Sequence, residues 1–272
     1  MLPWLPPGTE LVRDVSPASW AVKSLAPSET SVTRLRNWIP SGYDAYLRIF
    51  HPPGLRSANA QVDLGTGTRW ADLGSQRGVG LTPDVAFVEV AGIDPGDQRA
   101  LDEIGPSDGH LPPEMCRHLA SVLTDHTTTP ETAWFCLWEG DGAWWSHAHG
   151  PWYDPEDDPT EIERSRAERE AQDELLHATP KVDGPIDRNY FLFRGPLAAA
   201  CGFEVDGWYI GPNLWWPDDH AWIVITEIDG YSSYAGGRRG AIDALLVDPE
   251  IETIEVPFDV PMDPGPYRPR WR

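Results

Sequence analysis

Residues 222–228, WIVITEI, constrain the fold of this chain more than any other segment. Almost every residue in this segment is β-branched or aromatic, a composition that favours a buried strand. A glycine- and tyrosine-rich segment follows at 229–240, and apolar residues then recur at helical spacing over 241–247. We therefore predict a buried strand, a loop at 229–240 and a short amphipathic helix.

The remaining chain shows strand and helix patterns in irregular order. Strands are predicted at 43–50, 85–90, 133–139, 190–193, 207–210 and 251–256, and helices at 68–73, 98–104, 113–125 and 158–177. Because the strands cluster without regular βα alternation, the pattern predicts an α+β fold. We expect a mostly antiparallel sheet with a few single helices packed on it.

The length of 272 residues fits a single α+β domain. An alternative is two lobes, 1–150 and 185–272, joined by a charged helical insertion at 155–180. Asp158 and Pro159 supply start signals for that helix. Its apolar stripe is thin, so we expect the helix to be exposed.

Charge excludes several classes of partner. The chain carries 43 acidic and 21 basic residues, for a net charge of -22. Such a charge repels nucleic acids and anionic membranes and is compatible with a basic protein partner. An apolar run long enough to span a membrane is missing, the first residues do not resemble a secretory signal, and the three cysteines are widely spaced. We therefore expect a cytoplasmic protein.

The segment 229–240 is a candidate phosphate or small-ligand site. Gly236 and Gly237 would let a phosphate approach the backbone at the start of the following helix, and Arg238 would add a charged hydrogen bond. A Gly-Lys-Ser/Thr sequence is missing. The alternative is a structural turn.

Aromatic residues near this segment offer a second candidate. Trp215, Trp216, Tyr231 and Tyr234 could line a ligand cleft or a protein interface. Large aromatic side chains also fill protein cores, so core packing is the alternative.

A histidine pair gives a candidate metal site. His147 and His149 would lie on one side of an extended segment, with Asp154 shortly after them as an oxygen ligand. This arrangement would suit a metal-dependent hydrolase. The alternative is a polar loop, and we expect no cofactor other than such a divalent metal.

The acidic pair Asp218 and Asp219 precedes His220, a combination that could supply a general base. However, the sequence lacks a G-x-S-x-G nucleophile elbow. We interpret Pro217, Asp218 and Asp219 as a turn. We assign no catalytic residue, and a non-enzymatic role is favoured.

Four segments, 127–140, 193–197, 212–217 and 226–229, resemble a family of uncharacterised actinobacterial proteins. That resemblance implies no activity, cofactor or catalytic residue. The sequence WFCLWEGDG within an acidic α+β chain is also similar to the SUKH superfamily, some of whose members are immunity proteins that bind and neutralise toxins. This second resemblance implies a protein-binding role.

Together these observations favour a non-catalytic acidic protein, immunity-like in character, that binds a basic protein. The alternatives are the metal-dependent hydrolase at His147 and His149, and the phosphate or small-ligand module at 229–240. No oligomeric state is predicted.

Overall fold

The computed structural model describes residues 2, 4–23, 25, 33–54, 67–144, 158–185, 188–205 and 207–263, and all structural statements concern these residues. The strands are β1 (Glu10–Val12), β2 (Ala45–Phe50), β3 (Ala133–Trp138), β4 (Val182–Asp183), β5 (Asn189–Gly195), β6 (Glu204–Val205), β7 (Trp208–Tyr209), β8 (Leu214–Pro217), β9 (Trp222–Thr226), β10 (Ser232–Gly237) and β11 (Thr253–Val256). The α-helices are α1 (Ser19–Lys23), α2 (Trp70–Ser75), α3 (Phe87–Ala91), α4 (Gln98–Ile104), α5 (Pro113–Thr124), α6 (Pro159–Ala178) and α7 (Arg239–Leu246).

Nine of these strands form one sheet, in the order β1-β5-β3-β8-β9-β10-β2-β11, with β4 also paired to β5. Every pairing between the described strands is antiparallel. Strands from both of the lobes considered above belong to this sheet. The predicted α+β fold with a mostly antiparallel sheet is confirmed.

The sheet is covered on both faces. On the face that we call the α5 face, Leu47, Phe135 and Val224 pack with Leu119 of α5 and Ile242 of α7. Since β2, β9 and β10 are buried along their whole length, their sequences need not alternate between apolar and polar residues.

The opposite face, which we call the α1 face, is lined with aromatic and branched residues. Trp216, Ile225 and Tyr234 pack there with Ala18, which directly precedes α1, and with Leu35, which follows α1 in the chain. At one end of the same face, α2, α3 and α4 enclose a third apolar cluster. Most of the tryptophans in the sheet are therefore core residues.

Residues 85–90 are not the predicted strand, because helix α3 occupies this region. Phe87, Val90 and Ala91 are buried, and their spacing of three and four residues matches one helical face. The sequence of this segment is ambiguous because a short apolar run fits both the repeat of a strand and the repeat of a helix. The packing of Phe87 against Trp70 and Tyr231 favours the helix.

The charged helix α6 is present and begins at Pro159, with the Asp158 carboxylate accepting from the Thr160 N–H at 2.8 Å. Leu176 near its end is buried, whereas most of the helix is exposed. In the part of the chain that is described, no helix combines the length and the apolar character needed to cross a bilayer.

Candidate functional site

The four aromatic residues predicted to line a cleft lie in the interior instead. Trp215, Trp216, Tyr231 and Tyr234 are at most 1% exposed. Trp215 packs edge-on against Trp222 on the α5 face, whereas Trp216 belongs to the cluster on the α1 face. The structure therefore does not bring these four side chains together around an open cleft.

The predicted loop at 229–240 was wrong for half of its length, because Ser232–Gly237 forms the buried strand β10. A Cβ atom on Gly236 would lie 2.8 Å from the ring of Tyr43 and 2.9 Å from the ring of Tyr46. A Cβ on Gly237 would lie 3.1 Å from that of Trp222. Both glycines therefore make room for neighbouring side chains within the sheet.

The start of helix α7, where a phosphate was expected, already holds a carboxylate. Asp44 accepts a hydrogen bond from the backbone N–H of Arg239 at 2.9 Å. A negative charge at this position is favourable because it compensates the helix dipole. Arg238 is exposed beside it.

The metal candidates His147, His149 and Asp154 lie outside the described residues. Within the described ranges, no group of three or more histidine, cysteine, aspartate or glutamate side chains is placed to hold a metal ion. The metal site stays a prediction.

A serine–histidine pair that the sequence analysis missed lies in the core. The Ser233 hydroxyl is 2.9 Å from His51 Nε2, and His51 Nδ1 is 2.8 Å from the carbonyl oxygen of Ser107. The carbonyl can only accept, so Nδ1 carries the proton and Nε2 accepts from Ser233. The Thr226 hydroxyl, 2.7 Å from that of Ser233, then donates to it.

This pair has the arrangement of a nucleophile and its base, but His51 and Ser233 are both 0% exposed. Burial lowers the pKa of His51 to about 4, so the imidazole is neutral. Each polar atom of the pair is satisfied by a neighbour. We therefore assign the pair a structural role.

An open cleft with charged walls lies on the α1 face, at the edge of the sheet that is formed by β1. We call it the edge cleft. Its volume is about 420 Å³, within the range of small-ligand sites. It is lined by Glu10, Leu11, Val12, Arg13, Asp14, Pro17, Trp134, Arg194 and Asp218.

Strand register builds one wall of the edge cleft. Glu10 of β1 lies opposite Arg194 of β5, which lies opposite Trp134 of β3, and Trp134 lies opposite Trp216 of β8. Directly opposed residues in a sheet have neighbouring side chains. The row across these four strands consequently consists of a carboxylate, a guanidinium and two indoles.

The first three members of this row contact one another. The Arg194 guanidinium lies 3.4 Å from the Glu10 carboxylate. Its central carbon lies 5.8 Å from the centre of the Trp134 ring. Trp134 is 8% exposed, so its ring is held firmly by the core.

Asp218, which also lines the edge cleft, lies on the turn that follows β8. The Trp134 indole N–H donates to the Asp218 carboxylate at 2.9 Å. The neighbouring Asp219 accepts from the hydroxyls of Thr127 and Thr128 and from the Thr128 backbone N–H at 2.8–2.9 Å. Burial alone would raise the pKa of Asp219, but these hydrogen bonds outweigh burial and lower it. The predicted turn at Asp218 and Asp219 is confirmed.

A third carboxylate enters the edge cleft from the segment after β1. Asp14 accepts a hydrogen bond from the Ser16 N–H at 3.0 Å. This bond lowers the pKa of Asp14, so the carboxylate is ionised at neutral pH. Three carboxylates and two arginines therefore line the edge cleft.

The chemistry of this lining suits the binding of a cation, because three of its nine residues are carboxylates. The excess negative charge and the indole of Trp134 both attract cations. The sequence held a partial signal, since Asp218 and Asp219 stood out, but Glu10, Asp14, Trp134 and Arg194 did not. Comparison with known proteins finds no matching family model, no matching curated protein and no matching solved structure.

Proposed function

We propose that this chain is a non-catalytic acidic protein that binds a basic protein, and that the edge cleft receives cationic side chains of that partner. The observation that carries the proposal is the convergence of Glu10, Asp14 and Asp218 on a cavity of about 420 Å³ walled by Trp134. A carboxylate cavity with an aromatic wall is complementary to a guanidinium or ammonium group.

The net charge of the whole chain also supports a basic partner. A net charge of -22 creates a field that attracts a basic partner from a distance and repels nucleic acids. Long-range attraction of this kind raises the association rate more than it raises affinity. Local contacts must then supply specificity, and the edge cleft provides them.

The buried serine–histidine pair supports a non-enzymatic role. Its two side chains are arranged for catalysis, but a substrate cannot reach either of them in the folded chain. The proposed role is also the one that the similarity of the WFCLWEGDG segment to the SUKH superfamily implies. We also propose a cytoplasmic location, which fits the three widely spaced cysteines of the sequence.

The proposal is tested by titrating the protein with octa-arginine and octa-glutamate peptides by calorimetry. We expect octa-arginine alone to bind. In a cleft variant, Glu10→Gln, Asp14→Asn and Asp218→Asn remove three charges while each amide keeps an oxygen that accepts hydrogen bonds. This variant should bind octa-arginine about tenfold more weakly, because several charge contacts are lost.

A matched control separates the edge cleft from total charge. In a helix variant, the exposed α6 residues Glu163, Glu168 and Glu170 are each changed to Gln, so the net charge changes equally. We expect this variant to lose affinity by less than threefold, about what long-range charge alone contributes. Equal losses in the cleft and helix variants would overturn the assignment of the site.

A further inference from the structure

We propose that the partner inserts an arginine side chain, and that Arg194 occupies the position of this side chain in the free protein. In this sense Arg194 is a stand-in for the partner's arginine. The inference rests on the proposed function of the edge cleft. When the partner binds, its guanidinium replaces that of Arg194 on the ring of Trp134 and beside the carboxylate of Glu10. Arg194 then swings into solvent.

The position of Arg194 carries this inference. Its guanidinium already makes two of the contacts that the edge cleft offers to a cation, one with the Glu10 carboxylate at 3.4 Å and one with the Trp134 ring at 5.8 Å. A free cleft with this lining would take a group of the same shape and charge. The guanidinium of Arg194 therefore indicates which chemical group the edge cleft would bind.

The chemistry of the two contacts selects arginine over lysine. A guanidinium is planar, so it can lie along an indole face while its N–H groups reach a carboxylate. An ammonium is a compact and strongly hydrated charge that gains less from the ring. Glu10 and Trp134 flank Arg194 on both sides in the strand register, which fits a planar group between them.

Arg194 is held loosely enough to be displaced. Its side chain is 46% exposed and that of Glu10 is 65% exposed, so water and salt screen their attraction. By contrast, Arg48 in the core is 0% exposed and is bonded to Ser232, Val85 and Asp263. Arg48 is thus fixed in the core, whereas Arg194 can leave its partners.

The test compares Arg194→Gln with Arg13→Gln in calorimetric titrations with octa-arginine and octa-lysine. Both variants remove one positive charge from the edge cleft, because Arg13 also lines it. Of these two arginines, Arg194 is the one whose guanidinium lies over the Trp134 ring. We expect Arg194→Gln to bind octa-arginine about tenfold more tightly than the wild type, because the competing cation–π contact and ion pair are removed.

The control and the second peptide decide the outcome. We expect Arg13→Gln to raise affinity by about twofold, the effect of one screened charge, and the wild type to prefer octa-arginine over octa-lysine. Equal gains in the two variants, or equal affinity for the two peptides, would overturn the stand-in role of Arg194. Failure of the proposed function is a different result, in which the cleft variant binds octa-arginine as well as the helix variant does.

Discussion

The guanidinium of Arg48 and the carboxylate of Asp263 meet at 2.8 Å in the protein interior, with side chains 0% and 2% exposed. These residues are 215 positions apart in the chain. Arg48 also lies 4.6 Å from the ring of Phe50 and 5.2 Å from that of Trp70. The ion pair therefore fastens the segment after β11 to strand β2.

Removing Asp263 should destabilise the fold strongly. Asp263→Ala leaves the charge of Arg48 buried without its carboxylate, which costs about 3–5 kcal/mol. The matched change Asp259→Ala removes a carboxylate that is 57% exposed from its pairs with Arg34 and Arg36, and should cost less than about 1 kcal/mol. Urea denaturation measures both, and similar losses would show that burial of the ion pair does not matter.

The fold should lose stability in mild acid because of His51. Burial lowers the pKa of His51 to about 4 in the folded chain, and nearby His110 and Arg48 act in the same direction. The unfolded chain binds a proton near pH 6.5. The stability contribution of neutral His51 is thus complete above pH 6.5 and is lost as the pH falls to about 4, by about 3 kcal/mol in total.

The variant His51→Gln isolates this effect because glutamine does not titrate. We expect its free energy of unfolding to fall less steeply than that of the wild type between pH 6.5 and 4, by about 1.4 kcal/mol per pH unit. Chemical denaturation at a series of pH values provides the comparison. Parallel curves would mean that His51 already takes up its proton in the folded state.

Gly236 should tolerate no side chain. In Gly236→Ala the new methyl group would meet the rings of Tyr43 and Tyr46 at under 3.0 Å, so we expect a loss of about 1–3 kcal/mol from overpacking. Gly80→Ala is the control, since its Cβ would point into open space. If thermal unfolding shows Gly236→Ala to be as stable as the control, the glycine is not needed for packing.

Elements with a strong local pattern could be predicted from the sequence. The predicted helix at 98–104 coincides with α4, and the predicted strand at 222–228 contains β9. In both segments, residue type and spacing point to the same structure without help from distant residues.

Strand β10 could not be predicted because its residues depend on distant partners. Ser232 accepts from Arg48, Ser233 bonds to His51, and Gly236 lies under Tyr46. In the sequence, these serines and glycines have the composition of a turn. Tertiary contacts overrode that local preference.

The edge cleft was equally hidden from the sequence. Glu10 and Arg194 are 184 positions apart, and Trp134 and Asp218 are 84 apart. Only the strand order and register bring them together. Asp218 stood out in the sequence beside His220, but Glu10, Trp134 and Arg194 belong to no motif, so a search by spacing could not have assembled the site.

The central claim is that the edge cleft receives the cationic group, and indole NMR tests it most directly. In protein labelled with ¹⁵N-tryptophan, the signal of Trp134 is assigned from the variant Trp134→Phe. We expect saturating octa-arginine to shift the Trp134 signal while the signal of Trp208, which is 52% exposed on β7, stays in place. An unmoved Trp134 signal in the peptide-bound protein would contradict the account.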